Sequence, residues 1–320
     1  MTLKESKTIT TLSWEPKTSS DNQITLDFTF ENKENELFRS KIVRFLESIS
    51  EEYFPFLSAF SLHIHSRNTF PHSSGIASSA SSMGALALCL CSMEKAIVHP
   101  DMDMVAFYRK ASKIARLGSG SASRSVYGFW AAWGNHSEIA QTSDEYAIDI
   151  HRDVHPVFNT YHNDILIVSS GEKAVSSTAG HQLMANNPFA PARYQQANQR
   201  ALQLLDILKK GDTEAFLHLA EAEALTLHAL MMCSEPSYTL IQPNSLEIMK
   251  RIRLFREKTK LPVCFSLDAG PNIHFLYPGE YTNRVQDFLE NELQPLCQDQ
   301  CIIRDGVGHG PSIVDFHHGH

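Results

Sequence analysis

Residues 71–82 read PHSSGIASSASS, six serines and a glycine in twelve positions with no Asp, Glu, Lys or Arg. A strand-like run, with Phe60, Leu62 and Ile64 alternating, leads into the stretch, and the apolar MGALALCLCSMEKA (83–96) leads out of it as a helix. Gly75 lets the backbone come close to a ligand, and a helix starting near Ser79 or Ala80 aims unpaired N–H groups and its positive dipole end at the loop. A phosphate needs such a cradle. A serine-capped helix start that holds nothing reads equally well from this stretch alone.

Two further clusters bear on that choice. LGSGSASRS (117–125) closes a helix with a Gly/Ser turn that carries a single arginine. Ser119, Ser121 and Arg124 could bind an anion together, through hydroxyls, backbone N–H groups and a two-pronged guanidinium. The alternative is a helix cap followed by a surface loop, but a cap needs only one glycine. SLDAGPN (266–272) places Asp268 at the end of a strand before a Gly-Pro turn. Asp268 is either an ordinary turn residue or a carboxylate positioned to orient or deprotonate a substrate hydroxyl.

The 320 residues suffice for a sizeable core and predict two domains. The net charge of −8 argues against nonspecific binding to nucleic acid or an acidic membrane, so an anionic ligand must be held by a local site. No apolar run is expected to reach bilayer-spanning length, and no signal-peptide pattern opens the chain. The six cysteines form no Cys-x-x-Cys pair, so zinc is not expected and a reducing cytoplasm fits best. The terminal HHGH reads as a loose tail.

Strands are expected in TITTLSW and over Ile24–Phe30. Helices are expected around Leu37–Ile49, after Asp101 or Asp103 up to Gly118, over Ala192–Lys209 and Thr213–Met232, from Ser245 to Lys258 with Asn244 as cap, and over Tyr281–Leu293. HNDILIVSS begins a strand near Asp164, and the domain boundary is placed just before it, giving domains 1–160 and 161–320. Without regular alternation of strands and helices the class is α+β.

In this order, the clusters resemble those of the diphosphomevalonate decarboxylases, within the small-molecule kinase superfamily of galactokinase, homoserine kinase and mevalonate kinase. NTFPHSSGIASSAS resembles the family's nucleotide-phosphate loop, LGSGSASRS its substrate-binding segment, DAGPN its catalytic aspartate turn, and EKAVSSTAG (172–180) a fourth segment near the phosphates. The resemblance implies a two-domain α+β fold, with an N-terminal nucleotide- and substrate-binding domain like a ribosomal-protein domain and a ferredoxin-like C-terminal domain around an active-site cleft. It implies ATP and Mg2+ as cofactors, a homodimer, and ATP-dependent decarboxylation of mevalonate 5-diphosphate to isopentenyl diphosphate in the mevalonate route of isoprenoid biosynthesis. Gly75, Ser78 and Ser79 would hold ATP phosphates, with Ser78 also on magnesium. Ser176 and Ser177 would touch phosphate beside Lys173. Ser119 and Ser121 would contact the substrate diphosphate, Arg124 the carboxylate that leaves as CO2, and Asp268 the tertiary hydroxyl.

Two departures from the family pattern stand out. Ser123 replaces a usual cysteine, a change expected to be tolerated. The resemblance also starts at Met1-Thr2-Leu3, as though the family's opening strand and its lysine-bearing KYWGK-like segment were absent. That predicts a bare sheet edge and a chain that is aggregation-prone or inactive as written. Rival readings are a mevalonate or phosphomevalonate kinase, a phosphomevalonate decarboxylase, and a noncatalytic binding protein.

Overall fold

The computed structural model describes residues 1–18, 21, 23–70, 78–136, 138–171, 184 and 187–314. The N-terminal sheet is built from β1 (Thr8–Pro16), β2 (Thr25–Phe30), β3 (Lys33–Glu34) and β4 (Phe60–Asn68), in the order β1-β4-β2-β3. β2 and β3 form a hairpin whose two turn residues, Glu31 and Asn32, both have positive φ (52° and 61°). That conformation matches the twist of the flanking strands. β4 runs parallel to β2 and antiparallel to β1.

Alternation decides the faces. Leu26 and Phe28 of β2 and Leu62 and Ile64 of β4 are buried beneath α1 (Glu36–Tyr53), α2 (Ser78–Ile97) and α3 (Met104–Gly118). Thr25, Asp27 and His63 lie on the exposed side. Asp103, one of the two expected caps, starts α3 by accepting from Val105 N (2.9 Å) and Ala106 N (3.0 Å).

At 20 residues, α2 is long and apolar enough to cross a membrane by length and composition, which corrects the expectation that no apolar run reaches that length. Its chemistry has another use. Leu86, Ala87, Leu90, Cys91 and Met93 are buried in the core, and the buried Glu94 pairs with Lys110 at 2.6 Å. α2 also covers part of the edge expected to be bare. Thr8 N donates to Ser81 Oγ (2.9 Å), and Cys89 Sγ donates to the Thr10 carbonyl (3.5 Å).

A small hairpin, β5 (Ala131–Trp133) and β6 (Ala147–Asp149), leads to the second sheet. Here β7 (His162–Leu166) is followed by α4 (Ala190–Lys210), α5 (Thr213–Met232) and α6 (Pro243–Thr259), then β8 (Cys264–Leu267), β9 (Ile273–Tyr277), α7 (Thr282–Phe288) and β10 (Ile302–Ile303). The strand order is β10-β7-β9-β8, antiparallel throughout. β9 thus lies between β7 and β8, the split βαβ arrangement of a ferredoxin-like unit. The class is α+β, as expected. α6 begins earlier than expected and is capped by Gln242 rather than Asn244. Pro243, with its fixed φ and no N–H, suits the first helical position, so Asn244 falls inside the helix and donates instead to the Leu296 carbonyl (2.9 Å).

The two halves are joined by residues 1–6 and 305–310. Thr2 N donates to Phe129 O (2.8 Å), Phe129 N to Gly308 O (2.8 Å) and Gly308 N to Thr2 O (2.9 Å). The buried Asp305 carboxylate accepts from the backbone N–H groups of Lys4, Glu5 and Ser6 at 2.7–2.9 Å. Gly128 sits in this junction, where a Cβ would stand 2.2 Å from the His309 carbonyl oxygen. Because backbone opposes backbone, Gly128→Ala is expected to cost about 1–3 kcal/mol through overpacking. A urea midpoint that falls at unchanged m-value is the expected readout; an unchanged midpoint rejects the close approach.

Candidate functional site

The serine turns meet first. Ser78 opens α2, and the Oγ atoms of Ser79 and Ser119 lie 3.0 Å apart across the gap between α2 and the end of α3. Ser119 is the residue at which α3 stops, and the chain then turns through a short 3-10 segment, Gly120–Arg124. Gly84 permits the close approach of α2, since a Cβ there would stand 2.9 Å from that of Ser125. Below the turn, buried Ser123 donates to Gly120 O (3.2 Å), and Ser112 Oγ donates to Ser123 O (2.7 Å). The small hydroxyl therefore fits where a thiol was the usual expectation. Ser121 stays exposed at the mouth of the turn.

Arg124 ends the segment. It is exposed to solvent, although neighbouring protein atoms crowd around its guanidinium. Desolvation by those atoms lowers the guanidinium pKa from its ordinary value, and the nearby Asp268 carboxylate opposes the shift. Among the described residues, no group accepts a hydrogen bond from the Arg124 guanidinium or closes a direct ion pair with it.

Asp268 follows directly on β8 and is exposed. Its turn is fastened from three directions. His228 of α5 lies with Nε2 3.0 Å from the Asp268 carbonyl, Ser245 of α6 donates to Pro271 O (2.6 Å), and Asn272 Oδ1 accepts from Val168 N (2.8 Å) and Ser169 N (3.0 Å). On the neighbouring strand, His274 Nδ1 meets Asn163 Oδ1 at 2.9 Å.

Ser79 thus meets Ser119, and Arg124 lies within electrostatic reach of Asp268, whereas Gly75, Lys173, Ser176 and Ser177 lie outside the described residues. His228, Ser245 and His274 were not singled out from the sequence. A lone histidine in the apolar run ALTLHALMM was the available signal for His228, because a buried imidazole needs a partner.

Both histidines stand below the ordinary histidine value of 6.5, chiefly because burial penalises the charged ring. The Asp268 charge acts the other way on both, joined by the carbonyl bond at His228 and by Asp305 at His274. Below pH 6.5 the folded protein therefore binds fewer protons than the unfolded chain. Their contribution to stability is complete above that value and declines as pH falls through it. Thermal melts at about pH 7.5 and about pH 5.5 are expected to show a drop that is smaller in His274→Gln than in the parent; equal drops reject the assignment to His274.

Comparisons with known proteins agree with this architecture. Residues 1–147 match the diphosphomevalonate decarboxylase-like N-terminal domain, and residues 164–311 match the mevalonate 5-diphosphate decarboxylase C-terminal domain. The diphosphomevalonate decarboxylase of Ganoderma lucidum is 31% identical over 242 residues, 73% of this chain and 58% of that protein. A phosphomevalonate decarboxylase of Haloferax volcanii is 28% identical over 71% of this chain and 64% of its own length. A solved structure described as MDDEF in complex with MVAPP, AMPPCP and magnesium superposes with a TM-score of 0.78 at 25% identity, covering 96% of this chain and 87% of that one. The matches span less than two thirds of the length of the first curated relatives.

Proposed function

Because the chain belongs to the diphosphomevalonate decarboxylase family, we propose that it decarboxylates mevalonate 5-diphosphate with consumption of ATP, giving isopentenyl diphosphate, ADP, phosphate and CO2. The observation that carries the reading is that the exposed Asp268 carboxylate lies near enough to act electrostatically on the Arg124 guanidinium, which closes the turn whose Ser119 meets Ser79. The division into domains 1–160 and 161–320 belongs to the same reading, supported by the start of the second sheet at His162.

In this reading Asp268 accepts or orients the proton of the tertiary hydroxyl, and the freed oxygen attacks the γ-phosphorus as ADP leaves. Phosphorylation turns a poor leaving group into a good one. When the C–O bond breaks, electron deficiency at that carbon draws the pair from the C–C bond, forming the alkene and releasing CO2. Arg124 holds the carboxylate so that this bond stays aligned with the departing phosphate, and its fork fixes two oxygens at once. Ser119 and Ser121 offer hydroxyls to the substrate's diphosphate. Ser78 and Ser79, at the α2 N-terminus, would contact the nucleotide phosphates, the role that the sequence resemblance also gives to Gly75, Lys173, Ser176 and Ser177.

Among the described residues no three His, Cys, Asp or Glu side chains converge. Magnesium is commonly carried by substrate phosphates and a few protein oxygens rather than by a protein cage. Ser78 is the hydroxyl that would contact the ion, and magnesium, when bound, would neutralise charge on the transferring phosphoryl group. A homodimer and a cytoplasmic setting complete the reading; six unpaired cysteines support a reducing compartment.

The Haloferax relative keeps a second substrate in view, mevalonate 5-phosphate. Purified protein is expected to release CO2 from the diphosphate in an ATP-dependent manner, with little from the monophosphate. Preference for the monophosphate makes the second reading correct. ATP consumption on mevalonate or its phosphate without CO2 makes the protein a kinase.

A further inference from the structure

We infer that His228 is a positioning residue, which holds the main chain of Asp268 so that its exposed carboxylate is presented at a fixed angle. The inference rests on the functional reading above for the importance of Asp268, but the contact itself is independent of it. A backbone carbonyl can only accept, so the 3.0 Å contact requires His228 Nε2 to carry its proton and donate. The ring is 2% exposed, on the side of α5 that faces β8, and is therefore not free to exchange this bond for water.

Why a histidine is needed here follows from the turn. Beyond Leu267 the chain leaves the β8–β9 ladder, and the Asp268 carbonyl no longer has a strand partner. Gly270 N reaches back to it at 2.8 Å, but that bond is internal to the turn and moves with it. His228 supplies the external tie, from a helix packed on β8. Ser245 fastens Pro271, and Asn272 fastens the far end to Val168 and Ser169. Of these three ties, only the one from His228 acts on the aspartate itself. Removing it leaves the carbonyl with its local Gly270 bond, so the fold survives while the first residue of the turn gains freedom. A carboxylate that swings loses orientation before it loses basicity.

The test compares His228→Leu, which keeps the bulk and loses the donor, with His228→Gln, whose amide nitrogen lies as many bonds from Cβ as Nε2 does. Two measurements are made on each full-length variant. Hydrogen exchange across residues 266–272 reads the tie without any reaction, and the Leu variant is expected to exchange about tenfold faster there than the parent, with Gln restoring most of the protection. Steady-state CO2 release reads its use. The Leu variant is expected to lose about 10–100-fold in kcat with KM for both substrates within about twofold, and Gln to recover the larger part. Unchanged exchange in the Leu variant overturns the inference, as does loss of kcat that is equal in Leu and Gln. If the parent itself releases no CO2, the functional reading fails, while the exchange measurement still decides whether His228 holds the turn.

Discussion

Asp268→Asn lowers kcat for CO2 release by about 10²–10⁴-fold, the usual cost of removing a positioned general base. The substitution replaces one carboxylate oxygen with an amide nitrogen of nearly the same size, and the turn has little reason to move. What anchors it at this residue is the main-chain carbonyl, bonded to His228 and Gly270, rather than the side chain. Ser245 and Asn272 hold the rest through groups the mutation does not touch. Folding and nucleotide binding are therefore expected to stay close to the parent, read by denaturant midpoint and by ATP titration. Arg124 loses a nearby countercharge, which deepens the lowering that desolvation already imposes on it. A guanidinium has range to spare before it gives up its proton, so the effect on turnover comes from the missing base. Near-parental kcat in the Asn variant would assign Asp268 the role of an ordinary turn residue.

Much of this site was legible because its parts are local. An aspartate at a strand end before Gly-Pro, and serines at a helix start, each announce a geometry within a few residues. The fold class followed from the same local signals. What the sequence did not carry was the set of contacts made across the chain. The strand order β10-β7-β9-β8 brings together segments more than a hundred residues apart, and no periodicity within β9 names β7 as its neighbour. His228 is concealed for a related reason: it lies in an apolar helix, and its partner is a carbonyl forty residues onward. The reading of Asn244 as a cap failed because two signals competed at one helix start, and the fixed φ of Pro243 selected the first helical position. The expectation that no apolar run reaches bilayer-spanning length missed α2, which stays apolar enough on average although it carries Glu94 and Lys95. In the fold Glu94 is buried against Lys110, and Lys95 Nζ reaches the Met102 carbonyl at 2.7 Å.

Arg124→Lys is expected to cost about 10²–10³-fold in kcat/KM, on the scale of losing one preorganised donor to a charged group in an active site. The charge sign is conserved, so a site that needed only a cation would hardly notice. Two physical differences act against lysine here. The guanidinium presents two parallel N–H groups that fix both oxygens of a carboxylate, whereas an ammonium fixes a point and lets the carboxylate rotate. Rotation matters because the C–C bond must stay aligned with the breaking C–O bond. The second difference is protonation. Desolvation lowers the pKa of the group at this position, and lysine starts closer to neutrality than arginine, so the same environment leaves it more readily uncharged. Asp268 opposes that shift for either side chain, which limits the second effect and makes the lost fork the larger one. The two causes separate by pH: if lost charge dominates, the Lys variant gains activity relative to the parent as pH is lowered from about 8 to about 6.5, and if lost geometry dominates, the deficit is the same across that range. A flat deficit is the expected result, together with ATP hydrolysis that outruns CO2 release, because a loosely held carboxylate still permits phosphoryl transfer to water. Parental kcat/KM in the Lys variant rejects Arg124 as the group that holds the leaving carboxylate.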